Sequence, residues 1–66
     1  MTVKVNGKEE VLEKEISLLQ FLQSKNIDLD VVVVEYNYDI VQRDKWGEIT
    51  LKEGDNLEVL QFVGGG

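Results

Sequence analysis

The sequence predicts an α+β domain in which one main helix packs on one face of a mixed sheet of four to five strands. Short segments with strand-like patterning lie on both sides of a single helical segment, and turn residues separate them. A chain of 66 residues has room for one hydrophobic core only. We therefore expect one domain over residues 1–63 and a flexible tail over residues 64–66.

The N-terminal segments are predicted to form a hairpin. Residues 2–6 alternate polar and apolar side chains, which is the period of a strand with one buried face. Asn6-Gly7 is a favoured two-residue hairpin turn, because this turn needs positive φ at both positions. A second strand over residues 8–13 should lie at a sheet edge, with Val11 facing the core.

A helix is predicted to begin at Leu18. Ser17 and Gln20 have the spacing of a capping box, in which each side chain bonds to the backbone N–H of the other residue. Leu18, Phe21 and Leu22 recur at helical spacing and should form its buried face.

The second half of the chain should supply the remaining strands. Residues 31–34 are four consecutive valines, which is typical of a strand covered on both faces. A face that a partner covers is the alternative. After a turn, Ile40 and Val41 should return to the core, and Trp46 should close one end of it. Residues 48–51 are expected to be a short strand, and residues 57–63 the last and longest one.

The predicted order is strand, strand, helix, strand, short strand, strand. With this order one helix can cover one face of a mixed sheet. It is the order of the β-grasp, the ubiquitin-like roll. Because the β-grasp hosts unrelated functions, the fold alone does not determine what the protein does.

The composition argues against an enzyme. The chain contains no Cys and no His, so thiolate nucleophiles, iron–sulfur ligands and the commonest general base are all missing. The charged residues between positions 39 and 48 have the character of a solvated turn rather than of a catalytic cluster. The acidic residues also lack a calcium-loop pattern. We expect no catalytic residue, no metal and no cofactor bound by the protein itself.

The charge balance bears on partners and location. Thirteen acidic and seven basic residues give a net charge of −6, which favours basic partner surfaces and disfavours nucleic acid. No apolar run approaches the roughly 18 residues needed to cross a bilayer. We therefore expect a cytoplasmic protein with no membrane partner.

Three glycines, Gly64, Gly65 and Gly66, follow the last strand. Residues without a Cβ bury no side-chain area and pay the full entropy of a fixed backbone, so a function outside the fold should explain them. Extended, three residues span at most roughly 10 Å and can enter a narrow channel. We expect this tail to present the Gly66 carboxylate to the active site of another protein; a frayed tail is the alternative.

A carboxylate is ionised at neutral pH and is a poor electrophile, so it must be activated before it can react. Adenylation by ATP would activate Gly66, and a sulfur nucleophile could then displace AMP and leave a thiocarboxylate. Leu60 and Phe62 occupy the opposite face of the last strand from Leu57 and Val59. They form either an exposed patch for docking partner enzymes or a contact covered by loop residues near Trp46.

Four segments together resemble the ThiS family over essentially the whole chain. They are Asn6-Gly7, Val34-Glu35-Tyr36-Asn37, the Val41 to Trp46 segment and the closing Gln61 to Gly66 segment. The resemblance implies a sulfur carrier for the thiazole of thiamine. An E1-like adenylating enzyme of the ThiF type would use ATP to adenylate Gly66.

The resemblance also implies a sulfur donor, such as a cysteine desulfurase system, and a thiazole synthase of the ThiG type that uses the thiocarboxylate. The final glycine pair is shared with ubiquitin and with MoaD, the carrier of molybdopterin synthesis. Length and the Phe62-Val63-Gly64 sequence favour ThiS. A MoaD-like carrier and a noncovalent interaction module remain the alternatives.

Overall fold

The computed structural model describes residues 1–62 and shows a five-stranded sheet with one α-helix. The elements are β1 (Thr2–Val5), β2 (Lys8–Val11), α1 (Leu18–Ser24), β3 (Val32–Tyr36), β4 (Asp39–Val41) and β5 (Asn56–Gln61). Two 3₁₀ helices span Leu29–Val31 and Arg43–Glu48. The strand order is β2-β1-β5-β3-β4; β1 and β5 are parallel and the other neighbours are antiparallel. The predicted α+β class with a mixed sheet is confirmed.

The β1–β2 hairpin forms as predicted, but its outer strand faces the other way. Asn6 and Gly7 have φ values of 51° and 82°, as a tight hairpin turn requires. This turn pairs Val3, which is fully buried, with Glu10. Both side chains therefore lie on the face of the sheet that α1 covers, which we call the inner face. Val11 lies on the opposite, outer face and is 77% exposed. The expectation that Val11 faces the core is wrong, because the turn sets the register.

The helix begins at the predicted residue with the predicted cap. The Gln20 N–H donates to Ser17 Oγ at 3.0 Å, and the Ser17 N–H donates to Gln20 Oε1 at 2.9 Å. Leu18, Phe21 and Leu22 are buried, as expected. They pack with Val34, Trp46, Leu51 and Leu57 in one core on the inner face of the sheet. Trp46 closes the core, and its Nε1–H donates to the Val41 carbonyl at 3.1 Å.

The fourth strand lies earlier in the chain than expected. Within residues 1–62, the 48–51 segment makes only an isolated bridge between Ser17 and Thr50. Its backbone instead holds the start of α1: the Leu18 N–H donates to the Ile49 carbonyl at 2.8 Å. The fourth strand is β4, which pairs Ile40 with Glu35 on the outer face and leaves Ile40 65% exposed. The predicted strand at 48–51 and the predicted burial of Ile40 are therefore wrong.

Strand β3, which lies between β5 and β4, is covered less completely than its valines suggest. Val34 on the inner face is fully buried, whereas Val33 on the outer face is partly exposed. A strand in the middle of a sheet with one helix layer is covered from one side only. The prediction of cover on both faces is therefore wrong for β3.

Candidate functional site

The last strand, β5, connects the core to the glycine segment. It lies between β1 and β3, and its pairing with β3 runs from Leu57 opposite Tyr36 to Gln61 opposite Val32. The Phe62 N–H donates to the Val31 carbonyl at 2.8 Å, so the pairing continues past the end of the strand. The proposed domain boundary at residue 63 and the tail residues Gly64, Gly65 and Gly66 lie outside the described residues.

The start of β5 is held by a buried carboxylate. Asp55 is 7% exposed and accepts hydrogen bonds from three groups. The Tyr36 hydroxyl donates to Oδ2 at 2.8 Å, the Asn37 side-chain amide donates to Oδ1 at 3.1 Å, and the Lys52 N–H donates to Oδ2 at 2.8 Å. This network fastens the β3–β4 hairpin to the start of β5.

Tyr36 is a hydrogen-bond donor within this network. Burial, the hydrogen bond to Asp55 and the negative charge of that carboxylate raise the pKa of Tyr36 to about 12. The phenol therefore keeps its proton throughout the physiological range. It has a structural role, since an acid or base that works near neutral pH needs a pKa near neutral pH.

The middle of β5 is held from its other edge by Asn6. The Val59 N–H donates to Asn6 Oδ1 at 2.8 Å, and Asn6 Nδ2 donates to the Val59 carbonyl at 3.2 Å. The β1 chain turns away at Asn6, so its side chain takes the place of the next backbone peptide along β5. Sequence reasoning explained Asn6 by its turn alone and missed this second role.

The end of β5 presents apolar side chains to solvent. Leu60 is 54% exposed and Phe62 is 59% exposed. Their exposure confirms that these side chains face solvent and shows that cover by loop residues near Trp46 is wrong, while their role in docking stays a prediction. Val33, directly opposite Leu60, and the exposed Ile40 lie on the same face. We refer to these four side chains, Val33, Ile40, Leu60 and Phe62, as the apolar patch.

Comparison with known proteins assigns the fold to a family. The family model described as "ThiS family" matches residues 2–66 of the chain. This protein belongs to the ThiS family. The match includes β5 and the three glycines that follow it, and it confirms the resemblance read from the sequence.

Two relatives within the family are similar over their full lengths. The sulfur carrier protein ThiS of Bacillus subtilis is 32% identical over 65 residues, which are 97% of this chain and 98% of that protein. The crystal structure of the thiamine biosynthesis protein ThiS of Geobacter metallireducens matches with a TM-score of 0.86 and 32% identity, and each chain is covered completely. The predicted β-grasp is therefore confirmed for this ThiS-family member.

The third relative is much larger. A thiazole synthase of Paramagnetospirillum magneticum is 30% identical over 66 residues, which are 100% of this chain and 20% of that protein. This ThiS-family chain thus spans a fifth of the length of that relative. A segment similar to the whole chain occurs within a protein named as thiazole synthase.

The described part of the fold also bears on metal binding and on membrane insertion. Within residues 1–62, His, Cys, Asp and Glu side chains form no group of three or more that could hold a metal ion. Across the same residues, the ThiS-family fold has no helix of the length and apolar character that a membrane span requires.

Proposed function

We propose that this ThiS-family protein carries sulfur as a thiocarboxylate on Gly66 and delivers it for the formation of the thiazole of thiamine. The observation that carries the proposal is the full-length similarity to the sulfur carrier protein ThiS of Bacillus subtilis. The exposure of Leu60 and Phe62, close to the glycine segment in the chain, supports the proposal, because a carrier needs a surface on which its partner enzymes can dock.

The chemistry would take place at the carboxyl carbon of Gly66. In the first step, a carboxylate oxygen attacks the α-phosphorus of ATP and pyrophosphate leaves, which gives an acyl adenylate. In the second step, hydrosulfide or an equivalent sulfur nucleophile attacks the carbonyl carbon, and AMP leaves with one carboxyl oxygen. The net change is the replacement of one carboxyl oxygen by sulfur.

The partner enzymes would supply the catalysis. An E1-like adenylating enzyme of the ThiF type binds ATP, a donor such as a cysteine desulfurase system supplies the sulfur, and a thiazole synthase of the ThiG type receives it. The carrier contributes the acyl group on Gly66, the reach of Gly64 and Gly65, and docking through Leu60 and Phe62. These ATP-dependent steps belong in the cytoplasm.

Intact-mass spectrometry tests the proposal directly. The protein is incubated with ATP, its adenylating enzyme and a sulfur donor, alongside a matched variant that lacks Gly66. We expect replacement of one oxygen by sulfur in the wild-type chain only. Absence of both the adenylate and the sulfur adduct, with the same enzyme active on a known carrier, would contradict the proposal.

A second measurement identifies the sulfur acceptor. The thiocarboxylated protein is mixed with thiazole synthase in one reaction and with molybdopterin synthase components in another. Each reaction also contains the substrates that supply the remaining atoms of its product. We expect loss of the sulfur mass and thiazole formation in the first reaction only. Sulfur transfer only in the second reaction would assign the carrier to molybdopterin synthesis instead.

A further inference from the structure

Two glutamates lie side by side on the outer face of the sheet, next to the apolar patch. Glu35 in β3 is directly opposite Glu58 in β5, and both side chains are partly buried. Ile40 is opposite Glu35 on its other side. The next pair towards the glycine segment is Val33 with Leu60. From the tail inwards, the outer face therefore presents apolar residues first and then the acidic pair.

Nothing in the described part of the fold neutralises this pair. The ion pairs within residues 1–62 are Lys25–Glu10, Arg43–Asp30 and Lys45–Glu48, and none includes Glu35 or Glu58. Lys4 in β1 is exposed and lies directly opposite Asn56 in β5. It forms no ion pair with either glutamate. Like charges directly opposite each other across a sheet are destabilising. The register thus sets two groups of like charge directly opposite each other near the centre of the outer face.

We propose that this face binds a surface of thiazole synthase in which an arginine lies between Glu35 and Glu58 while apolar side chains cover the patch. A planar guanidinium presents several N–H donors and can bond to two carboxylates at once, which an ammonium group does less well. The net charge of −6 favours a basic partner surface. Cover by apolar groups removes water from the ion pairs and strengthens them.

The position of the pair argues for the enzyme that receives the tail. Leu60 and Glu58 lie on β5, which leads to Gly64, and Phe62 follows directly after that strand. An enzyme that accepts Gly66 in its active site should therefore lie near this end of the sheet. The choice of thiazole synthase rests on the proposed function. It also agrees with the similarity of this whole chain to a segment of a thiazole synthase.

Calorimetric titration of thiazole synthase with the carrier tests the inference. The test variant is Glu35→Gln with Glu58→Gln, which keeps side-chain size and removes both charges. The matched control is Glu13→Gln with Glu15→Gln, two exposed glutamates between β2 and α1. We expect the Kd of the test variant to rise by about tenfold or more, and the Kd of the control to stay within about twofold of the wild-type value. Raising the salt concentration from about 0.05 to about 0.5 M should weaken wild type and control much more than the test variant.

A second readout separates recognition from folding. Because the like charges oppose each other in the free protein, the test variant should melt about 1–5 °C higher than wild type. A folded variant that binds less tightly although it is more stable would support a binding role for the pair. Unchanged Kd in the test variant, or no binding of the wild-type carrier to thiazole synthase, would overturn the inference.

The binding test is independent of the sulfur chemistry. It uses no ATP, no adenylating enzyme and no sulfur donor, whereas the proposed function is read from the mass of the Gly66 product. A carrier that forms the thiocarboxylate but ignores the charge of Glu35 and Glu58 would refute this inference alone. A carrier that binds through the pair but never forms the thiocarboxylate would refute the proposed function alone.

Discussion

The two ends of β5 differ in burial and in the side chains that they present. At its start, Leu57 is fully buried. Asp55, just before the strand, accepts hydrogen bonds from two side chains of the β3–β4 hairpin and from the Lys52 N–H. At its end, Leu60 and Phe62 are more than half exposed. One six-residue strand therefore has a buried, polar-anchored end and an open, apolar end.

The difference between the two ends of β5 shows how so small a domain can keep a stable core and still expose an apolar surface. A short chain has little core to lose, so its stabilising contacts have to be concentrated. Here they lie at the start of β5 and on the inner face. The other end exposes Leu60 and Phe62, which contribute little to the buried core.

The largest effect on the start of β5 is expected from removal of the Asp55 carboxylate, which we call the anchor. Asp55→Ala leaves the Tyr36 hydroxyl, the Asn37 amide and the Lys52 N–H without their acceptor. Because buried groups without a partner are costly, we expect the free energy of unfolding to fall by about 3 kcal/mol, measured by urea denaturation. Asp44→Ala, at an exposed position, is the control and should cost less than about 0.5 kcal/mol. A loss below about 1 kcal/mol for Asp55→Ala would contradict an anchoring role.

The anchor should also give the protein a specific sensitivity to alkali. The pKa of Tyr36 is about 12 in the folded protein, above the ordinary tyrosine value of 10.0. Between these values the unfolded chain has lost the proton that the folded chain retains. Stability from this group is therefore complete below pH 10 and is lost as the pH rises towards 12.

Urea denaturation at a series of pH values measures this effect. Wild type should lose more stability than Tyr36→Phe over the alkaline range, since the variant has no phenol to ionise. Tyr38→Phe, which alters an exposed tyrosine, serves as the control and should follow wild type. An identical alkaline dependence for wild type and Tyr36→Phe would show that the hydroxyl does not hold the hairpin to β5.

The smallest expected effect on stability is at the open end. The double change Leu60→Ser with Phe62→Ser should alter the free energy of unfolding by less than about 1 kcal/mol, because both side chains are already largely in water. At low carrier concentration, the same variant should form the Gly66 thiocarboxylate more slowly than wild type, by about tenfold or more. Mass spectrometry measures that rate.

Leu57→Ser gives the matched comparison on the inner face of the same strand. Its side chain is fully buried, so we expect a loss of about 3 kcal/mol or more in unfolding free energy. Equal losses for the inner and outer changes would remove the distinction between the two faces. An unchanged rate of thiocarboxylation in the outer variant would remove the docking role of Leu60 and Phe62.

Local signals along the chain predicted the parts of the fold that depend on neighbouring residues. The capping box at Ser17 and the Asn6-Gly7 turn formed as expected, because each needs only residues within one turn of chain. The alternation of β5 likewise placed Leu60 and Phe62 together on one face. The glycines that follow were identified from sequence alone, and so was the resemblance to the ThiS family.

The tertiary structure decided everything that depends on strand register and on contacts between distant residues. The register of the hairpins exposed Val11 and Ile40, and it set Glu35 opposite Glu58. Asp55 meets Tyr36 across 19 positions of the chain, and Asn6 meets Val59 across 53. Residue types and periodicity assign a side chain to a strand face, but they do not identify its partner on the next strand. The sequence by itself therefore determined the helix, the first hairpin, the last strand, the family and the candidate reactive end. Folding determined the place of the fourth strand, and it determined which end of β5 is buried and which is exposed.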